Sequence, residues 1–208
     1  MGRHLTSVCV LCRREHVKLY LKGNRCLTSK CAIEQKRPAP GMHGAEFKKM
    51  SDYGTQLREK QKLRRFYLMM ERPFLRQFGR ALRTTGKTGE IFLQNLELRL
   101  DNVVFRLGLA PSRRAARQII SHGHVAVNSR KVDIPSAQAR AGDVVHIREG
   151  HDLQLARASV EAAKQRKSVP QWLDLNVEKL SGKVLRRPDR SEIVVPVQEQ
   201  QIVEFYSK

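Results

Sequence analysis

The chain has 208 residues, with 40 Lys+Arg against 20 Asp+Glu and a formal net charge of +20. Self-repulsion on that scale calls for a polyanion, either nucleic acid or an anionic membrane surface. No apolar run approaches the roughly 18 residues of a membrane span, and basic residues spread along a chain with 6% aromatics do not build an aromatic-anchored surface helix. Nucleic acid is therefore the expected partner, with no membrane and no small-molecule substrate.

The charge is uneven: residues 1–100 carry 22 basic and 8 acidic side chains, residues 101–208 carry 18 and 12. Met1–Ser7 has neither a signal-peptide apolar region nor the length of a transit sequence, so a cytoplasmic setting with reduced cysteines is expected. Residues 1–48 have few apolar residues, and 37–44 (Arg-Pro-Ala-Pro-Gly-Met-His-Gly) read as an extended, turn-rich linker. A segment without a core needs a staple. Cys9-x₂-Cys12 and Cys26-x₄-Cys31 place all four cysteines of the chain within 23 residues. Two close thiolate pairs suit a structural Zn²⁺ site, which would supply folding energy directly. A four-thiolate cage equally suits a [4Fe–4S] cluster, and spacing leaves both open. Arg13, Arg14, Lys18 and Lys22 flank the pairs and give the knuckle a phosphate-binding surface.

Ser51 is the expected N-cap of a helix over 53–67, where Arg58, Lys60, Lys62, Arg64 and Arg65 load nearly every face. Such a helix has no core to pack on and becomes useful among phosphates. A second helix, about 72–85, is amphipathic, with Phe74, Leu75, Phe78, Ala81 and Leu82 as its apolar stripe. A third is expected from about 90 to 107, terminated by Gly108 at C′. Ser112 caps a fourth, on which Arg113, Arg114, Arg117 and Gln118 share one arc opposite Ala115, Ala116, Ile119 and Ile120. That arginine stripe, with Arg113 and Arg114 at a positive helix end, is expected to track an RNA backbone.

His122-Gly123-His124 reads as an exit turn whose histidines reach RNA. Strands follow at 125–127, 131–134 and 143–147, with a turn at Asn128-Ser129. A mixed-charge helix over 152–167 comes next, then loops and short strands, including 193–195 and 202–206. Two echoes of enzyme motifs fail. Gly86-Lys87-Thr88 lacks the earlier glycine of a phosphate loop, position 81 being alanine. Arg99-Leu100-Asp101 echoes the catalytic triplet of pseudouridine synthases, but sits mid-helix, where Asp101 is expected to pair with a neighbouring base or an RNA-facing group.

Eight stretches in order then resemble the bacterial small-subunit ribosomal protein four family: 9–15, 17–23, 37–44, 57–65, 98–108, 112–118, 122–124 and 203–207. The resemblance implies a primary ribosomal RNA binder that nucleates small-subunit assembly at a helix junction of the 5′ domain. It implies small-subunit proteins five and three as neighbours, and messenger RNA near its channel into the subunit. Roles in decoding accuracy and translational autorepression come with it, as does an αL-type RNA-binding module from about Arg99. Arg3, Arg37 and His43 join the expected RNA contacts. Ser129 departs from the glycine usual in the family's hairpin, which predicts a turn less tight than type I′. The expected fold is α+β, with a metal-knuckle segment (1–48), a helical domain (49–97), the RNA-binding module (98–165) and a C-terminal segment packing back on the others (166–208). No catalytic constellation is found. The alternatives are an RNA-modifying enzyme or a free RNA chaperone carrying the same module.

Overall fold

The computed structural model describes residues 4, 6–46, 49–148, 154–165 and 169–207. The helices are α1 (Cys9–Glu15), α2 (Asp52–Phe66), α3 (Glu71–Leu82), α4 (Thr88–Glu97), α5 (Leu100–Arg106), α6 (Arg113–Ser121), α7 (Gln154–Gln165) and α8 (Glu199–Tyr206). The strands are β1 (Val125–Val127), β2 (Arg130–Lys131), β3 (Val144–Ile147), β4 (Leu173–Asn176) and β5 (Ser181–Val184). Among the described residues, no helix is long and apolar enough to cross a membrane. The chain divides into two units, one of residues 1–93 with 194–208 and one of 94–193, the division falling inside α4. The C-terminal segment is divided between them at residue 193.

The first unit is helical. Ser51 Oγ accepts from the Gly54 N–H at 3.2 Å, as an N-cap should, and satisfies one donor of the first turn of α2. The amphipathic pattern of α3 buries Phe74, Phe78 and Ala81. Phe92 meets Phe74 and Phe78 edge to face, with ring centroids 5.0 and 5.4 Å apart. Leu75 and Leu82, expected in the same stripe, are exposed, because the buried face is narrower than the apolar one. Residues 202–206 form helix α8 rather than a strand. Among the described residues of this unit there is no strand to pair with, whereas α2 offers a helical surface along which α8 packs. Tyr206 stacks on Phe78 at 4.5 Å, and Gln56 Nε2 donates to Glu204 Oε2 at 3.0 Å. The knuckle segment also buries more than its composition suggested, with Val8, Leu11, Leu19 and Leu21 all inside.

The second unit holds an antiparallel sheet in the order β2-β1-β3-β5-β4, covered by apolar side chains of α5, α6 and α7. Trp172, the chain's single tryptophan, is buried in that core. β1 and β2 are joined by Asn128 and Ser129 with φ of 49° and 66°, and Val127 is paired with Arg130. Two positive φ values across a two-residue loop are the type I′ signature. Ser129 therefore does not loosen the turn. Asn128 secures it, accepting from the Val144 N–H at 2.9 Å and donating to Asp143 Oδ1 at 2.7 Å. The strand expected at 131–134 is only Arg130–Lys131, and 193–195 is not a strand.

The expected single helix over 90–107 is broken. At Arg99 the backbone turns extended, and the stretch 98–101 pairs with residues 135–139. Ala139 N–H donates to Leu98 O, and Leu100 N–H to Ala137 O, each at 2.8 Å. This bridge to a segment distant in sequence outweighs local helical periodicity. Gly108 then ends α5 at φ +77°, with Leu109 N–H on Val104 O and Gly108 N–H on Phe105 O. That is the Schellman pattern expected of a glycine at C′. Gly123 ends α6 in the same way, which makes His122-Gly123-His124 a helix exit.

Candidate nucleic-acid interface

A cation without an internal partner meets a phosphate at least cost, because a paired one must first give up its carboxylate. The predicted RNA contacts divide sharply by that criterion. On α2 the acids of the first unit claim most of them. Glu15, at the end of α1 and buried, takes both Arg58 (3.3 Å) and Arg65. Burial pushes its carboxyl above the ordinary carboxylate value, and the two arginines only partly offset this. Lys60 is itself buried, bonded to Glu71 at 2.6 Å with its ammonium 5.0 Å from the Phe205 ring centroid. Arg64 spans Gln61 at 2.9 Å and Glu71 at 3.5 Å, and Lys62 pairs with Glu59. For Glu71, burial is outweighed by Lys60, Arg64 and the Tyr206 hydroxyl, so its carboxyl sits below the ordinary value. The helix read as polar on all sides therefore has an inner face. Lys60 does not face outward as expected: it is the counter-charge of a carboxylate inside the unit.

The arc on α6 is corrected in the same way. Arg113 is buried, donates from Nε to Asn102 Oδ1 at 2.8 Å, and lies 4.6 Å over the Phe105 ring. Arg117 donates to Asp101 Oδ2 from Nη2 at 2.6 Å and from Nε at 3.1 Å. Arg99 holds the same carboxylate at 2.8 and 3.1 Å, and Glu97 bridges Asn102 and Arg106 at 2.7–2.9 Å. Asp101 thus pairs with neighbouring bases as the sequence suggested. Two of the three stripe arginines bolt α6 to α5 instead of facing outward. The outward ridge is rotated to Arg114, Gln118 and His122, spaced four residues apart and all exposed. Arg130 and Lys131 of β2 are exposed too, and the Lys131 stem lies over Gly123 at the end of this ridge. His122 and His124 rings meet edge on at 5.8 Å.

In the knuckle segment Arg14, Lys22 and Arg37 are exposed. Arg13 donates to Pro38 O at 3.0 Å, Lys18 pairs with Glu34, and His43 bonds Glu46 at 2.6 Å. Arg3 lies outside the described residues. Sequence reasoning passed over Arg72, Arg76, Arg80 and Arg83, all exposed along the outer side of α3 and its C-cap. Their i, i+4, i+8, i+11 spacing is the signal that marks them, on the side of the helix away from the apolar stripe.

The four cysteines are free thiols, three buried and Cys9 partly so. Burial pushes the Cys12 and Cys26 thiols up, and the charges of the neighbouring cysteines add to it. The Lys22 N–H donates to Cys26 Sγ at 3.4 Å. The four are therefore near neighbours. Even so, among the described residues no group of three or more His, Cys, Asp or Glu is arranged to hold a metal ion.

Among the described residues, each unit carries exposed cations without an ion pair above an interior of paired charges, and Asp101, the one echo of a catalytic residue, is buried between arginines. Comparison with known proteins agrees. The family described as ribosomal protein S4/S9 N-terminal domain matches residues 3–97, and the S4 domain matches 98–145. The chain is 53% identical over 210 residues to small ribosomal subunit protein uS4 of Thermus thermophilus. It is 51% identical over 209 residues to that of Thermodesulfovibrio yellowstonii and 54% over 208 residues to uS4A of Symbiobacterium thermophilum, with 100% of both chains covered each time. The chain belongs to the uS4 family of small ribosomal subunit proteins.

Proposed function

We propose that this protein is a structural, RNA-binding component of the small ribosomal subunit in the cytoplasm, and not an enzyme. The observation that carries the reading is full-length identity above one half with relatives that all bear that name. In finer terms, it binds the 5′ domain of small-subunit ribosomal RNA early and organises a helix junction. It neighbours proteins five and three near the messenger channel, contributes to decoding accuracy and represses its own translation. Unpaired arginines on helical ridges support backbone-directed binding, in which RNA shape rather than base sequence is recognised. Tagged protein expressed in a bacterium is expected to co-sediment with small subunits after a high-salt wash. Recovery only at the top of the gradient would overturn the reading.

The four cysteines are the proposed ligands of one structural Zn²⁺, with a [4Fe–4S] cluster as the alternative. Support comes from the donor chemistry, from the mutual proximity of the thiols and from a backbone N–H aimed at Cys26 Sγ. Purified protein is expected to be colourless with one zinc per chain, and Cys12→Ser to lose the metal and the order of the knuckle. Broad visible absorption with bound iron would assign the cluster instead, and metal-free, folded protein would remove the site.

A further inference from the structure

We propose that the outer face of α3 is a seat for an RNA backbone: Arg72, Arg76, Arg80 and Arg83 neutralise phosphates of one strand, and Gly79 lets that strand lie against the helix itself. The inference rests on the RNA-binding reading and assigns it a surface.

The four arginines fall within an arc of about 80°, and each i, i+4 step advances about 6 Å along the axis. Successive guanidiniums can therefore follow a single strand. All four are exposed, and none has an ion pair among the described residues. This sets them apart from α2, where Glu15, Glu59 and Glu71 take up Arg58, Arg64, Arg65, Lys60 and Lys62. The single acid of α3 is Glu71, and it is turned to Lys60, Arg64 and Tyr206. A row of like charges four apart weakens a free helix, and Arg72 sits at the positive end of the dipole, where a cation is unfavourable. Arg80 and the C-cap Arg83 stand at the negative end of the dipole, where a cation is favourable, but Arg72 and Arg76 gain nothing there. Every basic residue of the row is arginine, whose planar fork binds phosphate oxygens in pairs.

Gly79 is the independent observation. Glycine within a helix is less favourable than alanine, and two internal reasons could explain it here. A left-handed backbone would, but Gly79 lies within α3 and is absent from the positive-φ residues. Close packing would, but a Cβ at this position would meet nothing within 4 Å. By helical geometry Gly79 falls about 20° outside the arginine arc, beside Arg72 and Arg83. What needs the missing side chain is a partner from outside that comes close to the backbone. The neighbouring charges select a polyanion as that partner.

The test uses the full chain and a transcript of the 5′ domain of bacterial small-subunit ribosomal RNA, with affinity measured across a salt series. Arg76→Gln/Arg80→Gln is expected to bind at least tenfold more weakly, with a log–log salt slope shallower by roughly two. Gly79→Ala is expected to raise the melting temperature, through better helix propensity, while weakening RNA binding several-fold. A merely structural glycine would not move stability and affinity in opposite directions. Arg140→Gln/Arg187→Gln, which removes the same charge from exposed sites elsewhere, should lose much less affinity. Wild-type affinity in the α3 double variant, unchanged affinity in Gly79→Ala, or an equal loss in the control pair each overturns the proposal. Loss of incorporation into subunits with RNA affinity intact would do so as well, by pointing to a protein on this face. If the wild-type chain fails to bind the transcript, the RNA-binding reading itself falls.

Discussion

Asp101→Ala is expected to destabilise the second unit by about 3–5 kcal/mol, the range for removing one partner of a buried ion pair. The carboxylate is almost fully enclosed and accepts four charge-assisted hydrogen bonds, two from Arg99 and two from Arg117, at 2.6–3.1 Å. Arg99 is 3% exposed, so its charge cannot turn to water when the carboxylate is gone. Arg117 is nearer the surface and can do so, which leaves Arg99 as the main source of the loss. Because Trp172 is the chain's single tryptophan and lies in the core of this unit, its fluorescence during urea unfolding reports this unit alone. Asp101→Ala combined with Arg99→Met should recover much of the loss, since the uncompensated charge goes with the second change. A single-variant loss below about 1 kcal/mol would show that the pair is not the fastening described here.

The second large effect concerns binding. Affinity for the 5′-domain transcript is expected to fall about 10³–10⁵-fold between 50 and 200 mM salt, as for a protein that neutralises six to ten phosphates. The cations that are exposed and without an ion pair among the described residues suffice for that count: the α3 row, Arg114 on α6, Arg130 and Lys131 on β2, and Arg14, Lys22 and Arg37 in the knuckle segment. Lys60→Met and Arg113→Met, in contrast, should leave the salt slope unchanged, since both side chains are buried. A nearly flat salt dependence would refute the electrostatic account. A reduced slope in the Lys60 or Arg113 variant would show that those cations leave their partners when RNA arrives.

Much of the local structure was legible because its causes are local. Ser51 and Ser112 act as N-caps because a short side-chain oxygen reaches the N–H three residues on. Gly108 and Gly123 end their helices because a positive φ is cheapest for glycine. The Asn128-Ser129 turn also followed its position between two strands, although serine there suggested otherwise. The errors arose where distant residues competed with the local pattern. The 135–139 segment pulled Leu98 and Arg99 out of a helix. A helical surface on α2 made 202–206 a helix, although its apolar run reads equally well as a strand. Periodicity measures which residues share a face, and is silent on whether that face meets a strand, a helix or solvent.

The stripe on α6 shows the same limit at the level of function. Helical angles correctly grouped Arg113, Arg114, Arg117 and Gln118. Side-chain length, however, lets an arginine at the edge of an arc reach inward, and Asn102 and Asp101 supply the partners. By itself the sequence determined that the protein needs a polyanion, that its charge rides on capped helices and that its residues match the uS4 family. It could do so because net charge, caps and motif spacing are properties of the chain read in order. Only the tertiary structure decided which of those cations are spent inside the fold and which remain for RNA. Pairing depends on acids far away in sequence: Glu15 reaches α2 from α1, and Glu71 gathers Lys60 and Arg64 from α2 and the Tyr206 hydroxyl from α8.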